Sequence, residues 1–239
     1  MMSQSLAVVI VAGGSGTRMG ADRPKQYLDL EGRPILCHTV QAVSDLLGPA
    51  DSVIVVVPPA DCSAVSQMIA DHCTVAQELR VVPGGVSRAD SVQNGLQKVP
   101  EHAHTVAIHD GVRPFVTASL WSRLMAARMR GDASVIPALH PVESVRIVES
   151  DSCTTVPRDT VYLVQTPQLF APRLLMEAYW RYMLDPHEGL TDDAGIVTEY
   201  MHIVPTVVEG IDTNIKITTP RDLALARWIV SSESSDPQA

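Results

Sequence analysis

An apolar run that stops abruptly in glycine constrains this chain more than any other feature. Residues 6–11 read LAVVIV and give way at once to Ala12-Gly13-Gly14-Ser15-Gly16. Such a short, mostly β-branched run predicts a strand buried on both faces, the setting of a parallel sheet. The glycines after it carry no Cβ, so the chain can turn sharply and its backbone N–H groups can approach a ligand. Two cations follow, Arg18 and Lys25, the second behind Pro24. These residues describe a cradle for a polyphosphate with charge stabilisers beside it. A plain strand-to-helix turn with two solvated cations would use the same letters. A Walker A loop is excluded, because Lys25 is not in a Gly-Lys-Ser/Thr setting. The dinucleotide fingerprint fails too, because Gly14-x-Gly16 runs on into Thr17-Arg18-Met19 with no third glycine in place.

The rhythm continues along the chain. Helical spacing predicts helices over residues 35–47, 61–79, 87–96, 117–129, 172–184 and 191–201, and a last one opening at Thr219-Pro220. Asp61 or Ser63 is expected to cap the second, and Ser87 with Asp90 forms a capping-box pattern at the third. Between them, residues 52–57, 79–82, 106–108, 133–139, 203–208 and 214–218 read as strands. Strand and helix in alternation predict a mostly parallel sheet with helices on both faces. Residues 140–163 break the pattern: β-branched and polar residues alternate about a turn near residues 149–152, which predicts a β-hairpin. Two strands alone are marginal in water, so the hairpin packs on something: its own domain or a second subunit. We expect one domain over residues 1–230, with the arm at 140–163 and a polar tail at 231–239.

Composition narrows the function. The chain has 239 residues, 46% of them hydrophobic, enough for a substantial core. Eighteen basic against 27 acidic residues give a net charge of −9, which argues against a general nucleic-acid binder. Any anionic substrate must be held by cations placed locally, where screening over about 8–10 Å isolates them from the rest of the chain. The four cysteines are scattered with no Cys-x-x-Cys, which fits a reducing cytoplasm rather than a zinc or disulfide framework. No charged leader opens the chain and no apolar run reaches about 18 residues, so neither a signal peptide nor a membrane span is expected.

Three further stretches can carry chemistry. At Pro83-Gly84-Gly85 two glycines meet a predicted helix N-terminus, where exposed N–H groups can meet a nucleotide. Arg88 and Ser91 share a face of that helix; an ordinary capped helix with a solvated arginine is the other reading. Asp110, in His109-Asp110-Gly111-Val112-Arg113-Pro114, falls at a strand's C-terminal end, where open α/β sheets bind ligands. It is either a magnesium ligand or half of a structural pair with Arg113. His109 reads as a packed histidine, and His102 and His104 as a solvated loop. Finally, Lys216 sits alone in the apolar Asn214-Ile215-Lys216-Ile217-Thr218, which is costly unless its ammonium reaches water or an anion. Arg158 lies in the hairpin, ahead of Gln165-Thr166-Pro167-Gln168. No Ser–His–Asp set is evident.

The strings AGGSGTRM and PKQYL resemble those of the 2-C-methyl-D-erythritol 4-phosphate cytidylyltransferases of the non-mevalonate isoprenoid pathway, with ribitol-5-phosphate cytidylyltransferases as near relatives. The resemblance extends to about Ala226. It covers the family's GGxxRxxSVxxGL string at Gly84, Gly85, Arg88, Ser91, Val92, Gly95 and Leu96, the TPQ string, and the family's HDAARP or HDAVRP, in which Gly111 here replaces alanine by what reads as a small change. It implies a Rossmann-like α/β fold of the nucleotidyltransferase and glycosyltransferase-A kind, with a protruding arm that crosses into the second subunit of a homodimer. It implies catalytic roles for Arg18 and Lys25. CTP would be bound by Ala12, Gly13, Gly14, Gly16, Gly84, Gly85, Val86, Arg88 and Ser91, with the cytosine read at Gly85, Val86 and the Ser91 hydroxyl. The polyol phosphate falls to Arg158, from the partner subunit, and to Lys216, Arg113 and Thr166. Mg²⁺ falls to Asp110, with Asp212 a secondary candidate. One departure touches the acceptor: many members carry PVxDT where this chain has Pro141-Val142-Glu143-Ser144-Val145. The alternatives are a ribitol-5-phosphate enzyme and a nucleotide-binding paralogue without activity.

Overall fold

The computed structural model describes residues 5–14 and 23–233. The chain order is β1 (Leu6–Val11), β2 (Asp29–Leu30), β3 (Arg33–Pro34), α1 (Ile35–Ser44), β4 (Ser52–Val57), α2 (Cys62–His72), β5 (Glu78–Pro83), α3 (Arg88–Leu96), β6 (Thr105–Asp110) and α4 (Ala118–Met129). Then come β7 (Ser134–Leu139), β8 (Val145–Glu149), β9 (Ser152–Val156), β10 (Leu163–Val164), β11 (Gln168–Phe170), α5 (Pro172–Leu184), α6 (Asp193–Met201), β12 (Thr206–Glu209) and α7 (Pro220–Glu233).

The central sheet runs β10-β7-β11-β6-β1-β4-β5, with β12 also pairing β7. Strands β6, β1, β4 and β5 are mutually parallel, as are β12 and β7, whereas β10 and β11 run antiparallel to their neighbours. The period of two along β1 divides the core. Leu6, Val8 and Ile10 pack with Leu36, Val65 and Leu120 of α1, α2 and α4. Ala7 and Val9 turn the other way, toward Val92, Leu175 and Val197 of α3, α5 and α6. A third cluster seats α7, through Ala226 and Ile229, on Leu30, Ile35, Val112 and Ile217. The chain winds from β1 out to β4 and β5, then returns to place β6 on the opposite side of β1. That reversal opens a crevice at the C-terminal ends of β1 and β6, where ligands of open α/β sheets bind. Register sets Val11 opposite Asp110 at that point.

Several expectations change. The helix expected over 61–79 is α2 and ends at His72; Asp61 holds its N-cap position but makes no side-chain cap hydrogen bond, because its carboxylate accepts from the Tyr27 hydroxyl at 2.8 Å. Residues 214–218 form no strand: Ile217 N–H reaches the Val112 carbonyl at 3.0 Å, while the Asn214 side chain and carbonyl are taken by Thr166 and Arg113. The strand expected from 203 begins at Thr206. Helix α7 continues through Glu233, so the polar tail begins later than residue 231. Strand β11 was not foreseen, nor was the β2–β3 hairpin turned by Glu31 and Gly32 at positive φ. The arm is present as β8 and β9, paired only with each other.

Candidate active site

Three loops converge on the crevice. The first follows β1. Gly13 and Gly14 line a cleft of about 370 Å³ together with Lys25, Val86, Arg88 and Asp110. Lys25 opens a short 3₁₀ turn, and the next residue fixes that turn to the β1 loop: the buried Gln26 amide donates to the Ala12 carbonyl at 2.8 Å. Gly16 and Arg18 lie outside the described residues. The second loop follows β5. Ser87 caps α3 through the expected box with Asp90, and Ser87 and Arg88 at the start of that helix line the cleft. Ser91 Oγ accepts from Gly85 N–H at 3.1 Å and donates to the Ser87 carbonyl at 2.9 Å, holding that loop against its helix. A Cβ on Gly85 would stand 2.2 Å from the Cβ of Asp90, and one on Gly84 would stand 2.8 Å from Ser91 Oγ, so the close approach requires glycine.

The third loop follows β6 and carries the charge. Asp110 is buried, and its Oδ2 lies 3.1 Å from Arg113 Nε and 3.0 Å from Lys216 Nζ. Burial alone would raise its pKa; the Lys216, Arg88 and Arg113 cations overcome that and hold it well below the usual carboxylate range. Arg113 also donates to the Asn214 carbonyl at 2.8 Å, which ties the Lys216 segment to the Asp110 loop. Asp110 is therefore paired with Arg113, and it also lines the cleft. Burial depresses His109 to about 4, so it is neutral. Its Nε2 lies 3.0 Å from the Arg113 carbonyl and must be the protonated nitrogen, which makes Nδ1 an acceptor for Thr166 Oγ1 at 3.0 Å. The same oxygen accepts from Asp110 N–H at 3.0 Å. The proton of the Thr166 hydroxyl is thus committed to His109, and its oxygen holds the Asp110 backbone in place.

A second cleft, of about 480 Å³, shares Arg88, Asp110 and Lys216 with the first and extends to Arg113, Tyr162 and Thr166. The shared residues form the seam between the two clefts. Among the described residues lining the first cleft, Lys25, Arg88 and Lys216 oppose Asp110 alone, a local cationic excess in an acidic chain. Arg88 is anchored from behind by both oxygens of the buried Asp193, at 3.1 and 2.7 Å, and Asp193 also accepts from the Tyr179 hydroxyl. Three expected residues line neither cleft: Gly84, behind Gly85 in the second loop, and two charged residues that lie elsewhere. Arg158 lines neither cleft; it is on the arm, 60% exposed, and donates to the Val142 carbonyl at 3.0 Å. Asp212 is exposed in the loop after β12 and lines neither cleft. Gly111 is not a small change either: a Cβ there would stand 2.7 Å from the Cβ of Ala12, so alanine would force the two loops apart.

Over residues 6–232 the sequence matches the family described as 2-C-methyl-D-erythritol 4-phosphate cytidylyltransferase. The chain belongs to that family. A 2-C-methyl-D-erythritol 4-phosphate cytidylyltransferase of Syntrophus aciditrophicus is 41% identical over 97% of this chain and 98% of its own length. One from Porphyromonas gingivalis is 40% identical over 97% and 100%. Among solved structures, the 4-diphosphocytidyl-2C-methyl-D-erythritol synthase of Anaerococcus prevotii superposes with a TM-score of 0.81 at 29% identity, covering 95% of this chain and 99% of that one. The cytidylyltransferase of Thermus thermophilus does so with 0.75 at 30% identity, covering 95% and 99%. The fold is accordingly the α/β nucleotidyltransferase fold of this family.

The sequence singled out most cleft-lining residues of this cytidylyltransferase fold, but not the residues that brace them. Gln26 sat inside a quoted string without a role. Asp193 falls inside the helix expected over 191–201, and no local pattern pairs it with Arg88.

Proposed function

We propose that the chain transfers CMP from CTP to 2-C-methyl-D-erythritol 4-phosphate, releasing pyrophosphate and giving 4-diphosphocytidyl-2-C-methyl-D-erythritol for isoprenoid precursors. The observation that carries this reading is the pair of clefts with a cationic seam, set at the topological switch point of the sheet. Two anions have to meet there. A phosphate monoester oxygen of the acceptor attacks the α-phosphorus of CTP, and the bond from that phosphorus to the β-phosphate oxygen breaks. The nucleophile is already anionic at neutral pH, so no general base is needed. Positioning and charge stabilisation carry such a reaction.

Roles follow from placement. The glycine loops and the α3 N-terminus take the nucleotide, with Arg88 at the rim. Lys25, with Arg18, offsets the charge that builds on the α-phosphate and the leaving pyrophosphate. Lys216 and Arg113, on the second cleft, take the acceptor's phosphate. Ser91 and Thr166 support these groups by fixing the Gly85 and Asp110 backbones. Asp110 suits a hard cation that takes most ligands from phosphate and water. It stays ionised, both of its cation contacts fall on Oδ2, and no cluster of three or more acidic, histidine or cysteine ligands exists among the described residues. Asp110 would hold Mg²⁺, whose charge would offset that of the triphosphate.

The acceptor side is completed by a second subunit. Among the described residues β8 and β9 of the arm pair only with each other, and Ile147 and Val148 are 51% and 70% exposed. Arg158 on that arm is out of its own clefts, which suits delivery to a partner's. The test is pyrophosphate release from CTP and Mg²⁺ with 2-C-methyl-D-erythritol 4-phosphate, with ribitol 5-phosphate, and with no acceptor. Rapid release only with the first is expected. Preference for ribitol 5-phosphate would reassign the acceptor, and no release with either would favour a silent nucleotide binder.

A further inference from the structure

Away from the clefts, two cysteines 36 residues apart meet. Cys37 lies in the first turns of α1 and is fully buried. Cys73 is the C-cap of α2 and half-buried, and its thiol lies 3.4 Å from the Cys37 carbonyl. The Cys73 thiol donates to that carbonyl, and the Cys37 thiol, in the same α1–α2 contact, donates to the Met68 carbonyl at 3.9 Å. Beside them, Arg33 donates through Nη2 to the His72 carbonyl at 2.8 Å and also reaches the Cys73 sulfur. Its Nε is buried without an acceptor. The cluster thus combines an accessible sulfur, a second sulfur behind it, and a guanidinium that gains when the first becomes an anion.

We propose that Cys73 and Cys37 form a peroxide-reactive dithiol, in which a hydroperoxide oxidises Cys73 and Cys37 then closes a disulfide with it. The Cys73 thiolate attacks one peroxide oxygen and the O–O bond breaks; the departing oxygen takes a proton from water and leaves as an alcohol, or as water when the oxidant is hydrogen peroxide. Cys73 is now a sulfenic acid. The Cys37 sulfur gives up its proton, attacks the Cys73 sulfur and expels hydroxide, which takes that proton and leaves as water. The two sulfurs have together lost two electrons, and the peroxide has gained them.

The division of labour follows from the surroundings. The neighbouring Cys37 thiol lowers the Cys73 pKa, with burial opposing and Arg33 assisting. Cys37, beside Cys73 and buried, is pushed up and stays a thiol until it is needed. Low pKa, access and a resolving neighbour are what a redox-sensitive thiol requires. Cys62 and the exposed Cys153 serve as internal controls.

The experiment is peptide mapping of the full chain after brief exposure to limiting hydrogen peroxide. A linked Cys37–Cys73 peptide pair that disappears on reduction is expected, with Cys62 and Cys153 still alkylatable. In Cys37→Ser a Cys73 sulfenic acid should persist and be captured by dimedone. Arg33→Gln should slow Cys73 alkylation several-fold at neutral pH and move its pH midpoint upward. The wild-type map needs no variant to fold: Cys153 oxidised first, with no linked pair formed, would overturn the proposal.

Discussion

At the scale of single residues, the site is a matter of which groups hold a proton. Asp110 cannot take one while Lys216, Arg88 and Arg113 surround it, and the buried His109 beside it cannot keep one. The histidine makes a measurable prediction. Its pKa is about 4 when folded and 6.5 as the ordinary value. Between those values the unfolded chain binds a proton that the folded chain refuses, so stability is complete above the unfolded pKa and falls as pH drops toward the folded one. The whole window amounts to about 3 kcal/mol. Urea unfolding of wild type and His109→Gln at pH 7 and pH 5 should show the wild type losing about 2 kcal/mol more than the variant; equal losses would count against a neutral buried His109. Residue types at the site were legible because glycine, cation and carboxylate each carry a local signature. Their contacts were not. That Lys216 would reach Asp110, or that Thr166 would spend its proton on His109, depends on loops distant in sequence. Gly111 shows the same limit: whether an alanine fits depends on how closely Ala12 approaches, which no string of letters records.

At the scale of elements, what could be read was what local physics decides. The Ser87–Asp90 box and the Thr219-Pro220 opening appear where propensity placed them. Failures came where tertiary demands won. Strand β11 is three residues long and begins with Gln168, which is polar yet fully buried because Asp192 and Ala194 satisfy its amide. Helix α2 stops early because β5 must begin at Glu78 to pair with β4. Helix α3 illustrates packing that a family string encodes without explaining. A Cβ on Gly95 would stand 2.5 Å from Val9 Cγ1 and 3.0 Å from Val56 Cγ2. Both neighbours are β-branched and stiff. Gly95→Ala would gain roughly 1 kcal/mol of helix propensity and lose more to overpacking, for a net loss of about 1–2 kcal/mol in denaturant unfolding. Unchanged or raised stability would mean that α3 can lift off the sheet without cost.

At the scale of the molecule, the arm decides whether one chain suffices. With Arg158 outside its own clefts, the account requires a partner's arm to complete each acceptor site. Mixing Lys25→Ala with Arg158→Ala subunits tests this directly. Randomly re-paired dimers should recover about a quarter of wild-type activity, because half are mixed and each mixed dimer has one intact site. Residual activity no greater than that of either variant alone would place Arg158 in its own chain's site or in none. The central claim is that charge held at the crevice drives CMP transfer, and acceptor-dependent pyrophosphate release from CTP by wild type and Lys25→Ala, compared at equal thermal stability, tests it most directly. The account predicts brisk release by wild type with 2-C-methyl-D-erythritol 4-phosphate and a fall of roughly 10²–10³ in the variant, the scale of one preorganised charge stabiliser. No acceptor-dependent release by the wild type, or a variant within a few-fold of it, would contradict it.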